Sequence, residues 1–286
     1  MEKKTINNRY DFVIIFDVEN GNPNGDPDAG NMPRTDPETG HGLVTDVCLK
    51  RKIRNYVELI KNDEIGYKIF IKDTLSLKQK AAYVECNIKD QKQKTPMKDQ
   101  RKAREFMCKN YFDIRAFGAV MSGDDAPCRV LRGPIQINFA QSIDPVFPRD
   151  ITITRIARTN EKRAEKPGET EMGKKNFIPY ALYKAEGFIS AKLAEKTGFS
   201  EDDLELFWEA IINMFEHDRS AARGKMIMHK LIIFKHDCPL GKTHSHKLFE
   251  KVKITKKPNV VTPRSIGDYD IEINEVMPDG VTLIVK

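Results

Sequence analysis

The apolar positions of this chain repeat with strand-like and helix-like periods in turn. The clearest strand is Tyr10–Phe16, whose middle carries apolar side chains on both faces, as expected of a central strand in a covered sheet. Alternating apolar positions predict further strands at 67–72, 135–139 and 226–234. Near the end of the chain, 269–273 and 281–285 flank Pro278-Asp279-Gly280 and are predicted to form a closing hairpin.

Helical spacing predicts three principal helices, at 47–61, 98–111 and after Ser200. Thr45-Asp46 caps the first helix, and Ser200 with Asp203 forms a capping box for the third. The inward stripe predicted for the first helix is Leu49, Ile53, Tyr56 and Ile60, and that of the third is Leu204, Phe207, Trp208, Ile211, Ile212 and Phe215.

A long polar tip separates two strand-like segments, 151–156 and 177–183. Its Lys, Gly and Pro residues suit no core, so the range 151–180 is predicted to project as a β-hairpin. The order of elements predicts an α+β fold, a ferredoxin-like (RRM-like) antiparallel sheet. We expect one elaborated domain, 1–286, with a helical insertion at about 76–130.

The most unusual stretch is the Asn-, Gly-, Pro- and Asp-rich segment 17–30 between the first strand and the first helix. It predicts a loop with exposed backbone N–H groups. Lys50, Arg51 and Arg54 lie off the apolar stripe of the following helix, so loop and helix together form a candidate phosphate-binding surface. The formal net charge of +6 permits a polyanionic partner without requiring one.

Several other signals carry little weight. Five widely spaced cysteines without a C-x-x-C pair indicate reduced thiols. The sequence has no apolar span long enough to cross a membrane and no signal region, which predicts a cytoplasmic protein without a membrane partner.

Two motifs that resemble ligand sites fail on their spacing. Gly241-Lys242-Thr243 resembles the end of a phosphate-binding P-loop but lacks its first glycine. His236, Cys238, His244 and His246 match no zinc-finger spacing, so a plain polar loop is favoured and no metal or cofactor is expected.

Several segments resemble, in order, the backbone subunits of type I-C CRISPR Cascade complexes, in the Cas7 superfamily. They are Glu19–Pro27, Asn31–Asp36, Thr45–Arg54, Arg115–Met121, Arg132–Gln136, Thr154-Arg155 and Pro179-Tyr180. The resemblance runs from about Arg9 to Phe234, and the tail after His236 adds little to it.

The resemblance implies a non-catalytic subunit that stacks along a CRISPR RNA (crRNA), with 151–180 as a thumb that displaces bases at regular intervals. Implied partners are the crRNA, neighbouring copies, other Cascade subunits and, through the crRNA, target DNA. The RNA-binding residues expected on this basis are Asn20, Asn22, Asn24, Arg34, Lys50, Arg51, Arg54, Arg155, Arg158, Lys174 and Lys175. Met172 and Phe177 are the candidate apolar wedges of the thumb.

Two other functions stay open at this point. Asp26, with Asp17 or Asp28, could bind Mg²⁺ in a ribonuclease, since related backbone subunits of type III complexes cut RNA with an acidic first-loop residue. The chain could also be a stand-alone RNA-binding module. The aromatic signature of sequence-reading RRMs is absent, so base stacking on the sheet is not expected.

Overall fold

The computed structural model describes residues 4–72, 97–121, 130–155 and 171–286. The helices are α1 (Asp46–Lys61), α2 (Met97–Asn110), α3 (Phe112–Phe117), α4 (Ala191–Thr197), α5 (Glu201–Asn213) and α6 (Ser245–Phe249). The strands are β1 (Tyr10–Gly21), β2 (Gly25–Asp26), β3 (Met32–Pro33), β4 (His41–Val44), β5 (Gly118–Val120), β6 (Val130–Arg132), β7 (Ile135–Ile137), β8 (Ala140–Pro145), β9 (Arg149–Arg155), β10 (Glu171–Ile189), β11 (Lys225–His236), β12 (Val252–Lys256), β13 (Tyr269–Ile273) and β14 (Val281–Val285). Within these ranges, no helix has both the length and the apolar character needed to cross a bilayer.

An antiparallel sheet of eight strands organises the fold. Its main path runs β14-β11-β1-β10-β8-β4, and β7 and β9 also pair with β10. Along β1 the register places Phe16 opposite Tyr183, and these two rings stack with centroids 5.3 Å apart. The large antiparallel sheet with surrounding helices confirms the predicted mixture of helix and strand.

Both faces of β1 are buried, as its apolar pattern predicts. Phe12 and Phe16 face a core formed with α1 and α5, whereas Val13 and Ile15 face a second core on the opposite side of the sheet. All four side chains have no exposed surface. A strand covered on both sides accounts for the near-continuous apolar run in the sequence.

The helices α1 and α5 cover the first face through the predicted stripes, with two exceptions. Ile60 and Ile212 are 41% and 36% exposed, whereas Val57 is fully buried. Each predicted stripe therefore included one position whose side chain is exposed. The Ser200–Asp203 capping box is present at the start of α5.

The second face is covered by the C-terminal part of the chain. Leu248, Phe249, Val252 and Tyr269, from α6, β12 and β13, pack over it. The predicted closing hairpin is wrong: β13 pairs with β12, and β14 pairs with β11 at the edge of the main sheet. The turn at 278–280 reverses the chain, but a local turn does not decide which strands pair.

A smaller core lies around α2 and α3, where Met107 and Ile114 are fully buried. The predicted helix at 98–111 is confirmed, but the strand predicted at 67–72 is wrong, because only Lys68 forms a β-bridge, with Tyr111. The chain leaves α3 at Gly118, whose φ of 75° and whose close approach to the carbonyl oxygen of Leu131 exclude a side chain. The extent of the predicted insertion at 76–130 falls partly outside the described residues.

Candidate nucleic-acid interface

The segment that starts at the end of β1, which we call the first loop (residues 20–34), is more ordered than its sequence indicates. The loop predicted over 17–30 is wrong at its start, because residues 17–21 belong to β1. Its strands β2 and β3 pair with each other, and Asn31 N–H donates to the Asp26 carbonyl at 2.7 Å. Asn22 N–H donates to the Ala222 carbonyl at 2.8 Å, and Asn22 Nδ2 to the Asn31 carbonyl at 2.7 Å. These groups hold the loop together, so the expectation of generally free backbone amides is wrong for Asn22 and Asn31.

The Asn residues of the first loop differ in exposure. Asn20 is exposed and adopts a left-handed conformation with φ of 51°. Asn22 is only 6% exposed. Asn24 is half-buried, and its Oδ1 accepts from both the N–H and the hydroxyl of Thr45 at 2.9 Å.

That contact joins the loop to the start of α1. Thr45 Oγ1 in turn accepts from the backbone N–H of Cys48 at 3.2 Å, which is the predicted N-cap. The loop and the positive end of the helix dipole are therefore held side by side.

The cations of α1 differ in their contacts and in their exposure. Lys50 Nζ lies 2.8 Å from Asp46 Oδ2 one turn earlier, and its side chain is 14% exposed. The same ammonium lies 5.9 Å from the centre of the Phe117 ring. Arg51 Nη1 donates to the Ile71 carbonyl at 2.7 Å. Lys50 therefore pairs with a carboxylate of its own helix, at the end that contacts the first loop.

Arg54 belongs to the protein framework. Its Nε lies 3.0 Å from Asp113 Oδ2, and its side chain is 8% exposed. Asp113 is fully buried and also accepts from the backbone N–H groups of Phe70 and Ile71 at 2.8 and 3.0 Å. This burial argues against phosphate contact by Arg54, because the guanidinium already compensates a buried carboxylate.

Lys52, which the sequence did not single out, is the most buried cation of α1. Its ammonium pairs with Asp218, which also contacts Arg223 Nε at 2.9 Å. Burial lowers the pKa of Lys52, and the contact with Asp218 opposes that shift. The pair fastens α1 to the turn whose Ala222 carbonyl holds Asn22.

The carboxylates of Asp26 in the first loop and Asp17 in β1 take separate partners. Asp26 caps a short 3-10 turn and lies 3.5 Å from Arg34 Nη1. Asp17 is buried, accepts from the Tyr180 hydroxyl at 3.1 Å and lies 2.8 Å from His229 Nε2. In the part of the chain that the structure describes, no three His, Cys, Asp or Glu side chains come together to hold a metal ion.

The hairpin β9–β10 begins beside the first loop. Asn176 Nδ2 donates to the Gly30 carbonyl at 3.2 Å. Lys174 is exposed and Lys175 half-buried, opposite Thr152 and Ile151.

Four further predicted residues concern this hairpin. Phe177 is half-buried and lies opposite Arg149. Arg155 and Met172 lie in β9 and β10, but their side chains are outside the described part, and Arg158 falls wholly outside it.

One cation near the loop escaped the sequence analysis. Lys225 begins β11, is 63% exposed, and lies 3.2 Å from Glu19 Oε2, next to Asn20. Its position between Gly224 and the strand predicted at 226–234 was the available signal. By contrast, His236 is fully buried, with Nε2 2.9 Å from Asp11 Oδ2, and Nδ1 accepts from the backbone N–H of Lys242 at 3.1 Å.

The chain matches known proteins over most of its length. Residues 8–274 match the family described as CRISPR-associated protein Cas7. The chain belongs to the Cas7 family. A CRISPR-associated protein Cas7 from Haloferax volcanii is 24% identical over 292 aligned positions, covering 94% of this chain and 82% of that protein.

The fold of this Cas7 chain is also found in a solved structure. A chain of a CRISPR RNA-guided surveillance complex in a pre-nicking state superposes with a TM-score of 0.52 at 16% identity. The match covers 79% of this chain and 78% of that one. The family membership confirms the resemblance read from the sequence at the level of the family.

Proposed function

We propose that this Cas7 protein is a crRNA-binding backbone subunit of a type I-C surveillance complex, and that copies of it assemble along the guide RNA. The observation that carries this proposal is the joining of three segments into one surface. Asn24 links the first loop to α1, and Asn176 links the same loop to the base of the hairpin. Residues far apart in sequence therefore meet at the surface where the sugar-phosphate backbone of the RNA would lie.

The order of the strands supports an RRM-like core. The elements β1, α1, β7–β8, β10, α5 and β11 follow one another as in a ferredoxin-like unit, and β11 and β10 flank β1. The second sheet face lies beneath Phe249 and Tyr269. RNA would accordingly contact the loop edge rather than stack on the sheet, consistent with the missing RRM aromatic signature.

The contact residues that we propose are those with polar or charged groups at this edge, namely Asn20, Arg34, Lys50, Lys174, Lys175 and Lys225. Contacts of this kind to phosphate and sugar are independent of sequence, which suits a subunit that must hold any spacer. The bases left exposed would pair with target DNA. The hairpin would act as the thumb, with Met172 or Phe177 as the wedge, in a complex that works in the cytoplasm.

The decisive experiment is the mass of the assembly on RNAs of increasing length, measured by native mass spectrometry. Equal steps of one protein mass per added length of RNA are expected. A constant one or two copies per RNA, whatever its length, would instead establish a stand-alone binding module.

A gel of the recovered RNA, with Mg²⁺ present throughout, tests the proposed lack of catalysis. Intact RNA is expected. Shortened RNA from the wild type but not from Asp26→Ala would establish the ribonuclease alternative.

A further inference from the structure

The turn at residues 218–224, between α5 and β11, lies against the start of the first loop. Asn22 N–H donates to the Ala222 carbonyl at 2.8 Å. A Cβ atom on Gly21 would collide with the carbonyl oxygen of Arg223, so only glycine permits this close approach of the two backbones. The position of the 218–224 turn therefore determines where the first loop begins.

A carboxylate ties this turn to α1. The side chain of Asp218 is 11% exposed and pairs with the ammonium of Lys52, which is 1% exposed. Lys52 Nζ also lies 5.8 Å from the centre of the buried Phe215 ring. An ammonium in such surroundings requires an anionic partner, because an unpaired buried charge is costly. The pair therefore fixes Asp218 relative to α1.

The same carboxylate oxygen also contacts the far end of the turn. Asp218 Oδ2 lies 2.9 Å from Arg223 Nε, and the backbone N–H of Arg223 donates to the Ser220 carbonyl at 3.2 Å. A continuous series of contacts thus runs from α1 through Asp218 and Arg223 to the backbone that holds Asn22.

The first loop is consequently attached to α1 at two places. The first is the contact of Asn24 with Thr45, at the start of the helix. The second runs through Lys52, about two turns further along. Contacts that hold a Gly-rich loop in one conformation reduce the entropy that the loop loses when it binds a ligand.

We propose that Asp218 is a positioning residue for RNA binding, which holds the start of the first loop beside α1 through Lys52 and Arg223. This inference rests on the proposed function and adds to it a residue that acts through the loop and does not contact the RNA.

The negative charge of Asp218 gives the test its direction. Charge alone predicts that Asp218→Asn strengthens RNA binding, because the substitution removes a negative charge next to Arg223. The positioning role predicts the opposite, a binding about tenfold weaker. The salt dependence of binding should not fall, because no phosphate contact is lost. Fluorescence anisotropy on single-stranded RNA, over a series of salt concentrations, measures both quantities.

Hydrogen exchange followed by mass spectrometry tests the position of the loop without RNA. In Asp218→Asn, peptides that contain Asn22 should exchange faster, whereas those from the middle of β1 should keep the wild-type rate. Asp218→Glu retains the carboxylate and should restore both the slow exchange and the affinity.

A double variant completes the test. Lys52→Met removes the same ion pair from the other side, so its effect should not add to that of Asp218→Asn. The double variant leaves no buried ammonium without a partner, and it therefore carries the same measurements if Asp218→Asn alone unfolds.

Glu216→Gln is the matched control. Glu216 lies in the same connection between α5 and β11, is 51% exposed and pairs with Arg219. Its substitution should leave the exchange of the loop unchanged and should not weaken RNA binding.

The proposal is overturned if Asp218→Asn binds RNA as tightly as the wild type, if the loop exchanges at the wild-type rate, or if the two single effects add. If the wild type binds no RNA, the proposed function fails, whereas the exchange measurement still decides whether Asp218 positions the loop.

Discussion

At the scale of single residues, the cations of α1 show how one basic run divides into different roles. Lys52 and Arg54 are buried against Asp218 and Asp113, whereas the carboxylate partner of Lys50 is Asp46, one turn away on the same helix. The sequence suggested a common role for Lys50, Arg51 and Arg54, because all three lie off the apolar stripe. Burial separates them, since a guanidinium that balances a buried carboxylate contributes to stability before it contributes to binding.

For Lys50, we expect Lys50→Ala to weaken RNA binding to the same extent for all sequences. The loss of one phosphate contact should lower the salt dependence of binding by about 0.7 on single-stranded RNA. Fluorescence anisotropy over a series of salt concentrations measures this slope. Lys61→Ala, at the far end of the same helix, serves as the control and should keep the wild-type slope.

For Arg54, we expect a change in stability. Arg54→Ala leaves the buried Asp113 carboxylate without its cation and should lower the free energy of unfolding by about 3–5 kcal/mol. Urea denaturation followed by circular dichroism measures the loss. If the variant were as stable as the wild type but bound RNA more weakly, the result would contradict this role and indicate that Arg54 contacts phosphate.

At the scale of secondary-structure elements, the hairpin β9–β10 stands apart from the core. Ile151 and Ile153 of β9 are 44% and 38% exposed, and Thr152 and Thr154 are exposed as well. A strand that buries neither face adds little to the stability of the fold. Its side chains are accordingly available for a contact outside the monomer, which agrees with the thumb that we propose.

Shortening the hairpin tests this interpretation of the element. Arg155 lies opposite Glu171 in the register, so replacing residues 156–170 by Asn-Gly closes the strands with a two-residue turn. We expect the free energy of unfolding to stay within about 1 kcal/mol of the wild type, because loop length has a small effect on stability. Stepwise assembly on RNA, measured by native mass spectrometry, should be lost. Unfolding of this variant would show that the segment belongs to the core.

At the scale of the whole molecule, the C-terminal part completes the second core. The segments that carried the resemblance in the sequence end near Phe234, but the family match extends to residue 274, so the expectation that the tail adds little to it is wrong. In the structure, α6, β12 and β13 cover Val13, Ile15 and Phe234, which would otherwise face water. The network of Arg9, Asp11 and His236 fastens the start of β1 to this region.

Phe249→Ala tests that role. Phe249 is 6% exposed and packs edge-to-face against Phe188, with ring centroids 5.6 Å apart. The cavity left by the substitution should cost about 3–5 kcal/mol of unfolding free energy, measured by urea denaturation. Val276→Ala, at a position 77% exposed, is the matched control and should leave stability nearly unchanged.

The sequence by itself determined the local features of this protein. Its pattern predicted that strand β1 is buried on both faces, and it predicted the apolar stripes of α1 and α5, the Ser200–Asp203 cap and the position of the first loop. These features are predictable because the periods of helix and strand are set by local backbone geometry. Only the tertiary structure decided which strands pair and which charges are buried. The partners of Lys52, Arg54 and Arg115 are Asp218, Asp113 and Asp203. They lie 166, 59 and 88 residues away along the chain, and no local pattern encodes such separations. For the same reason, the C-terminal cover of the second core appears only once the chain is folded.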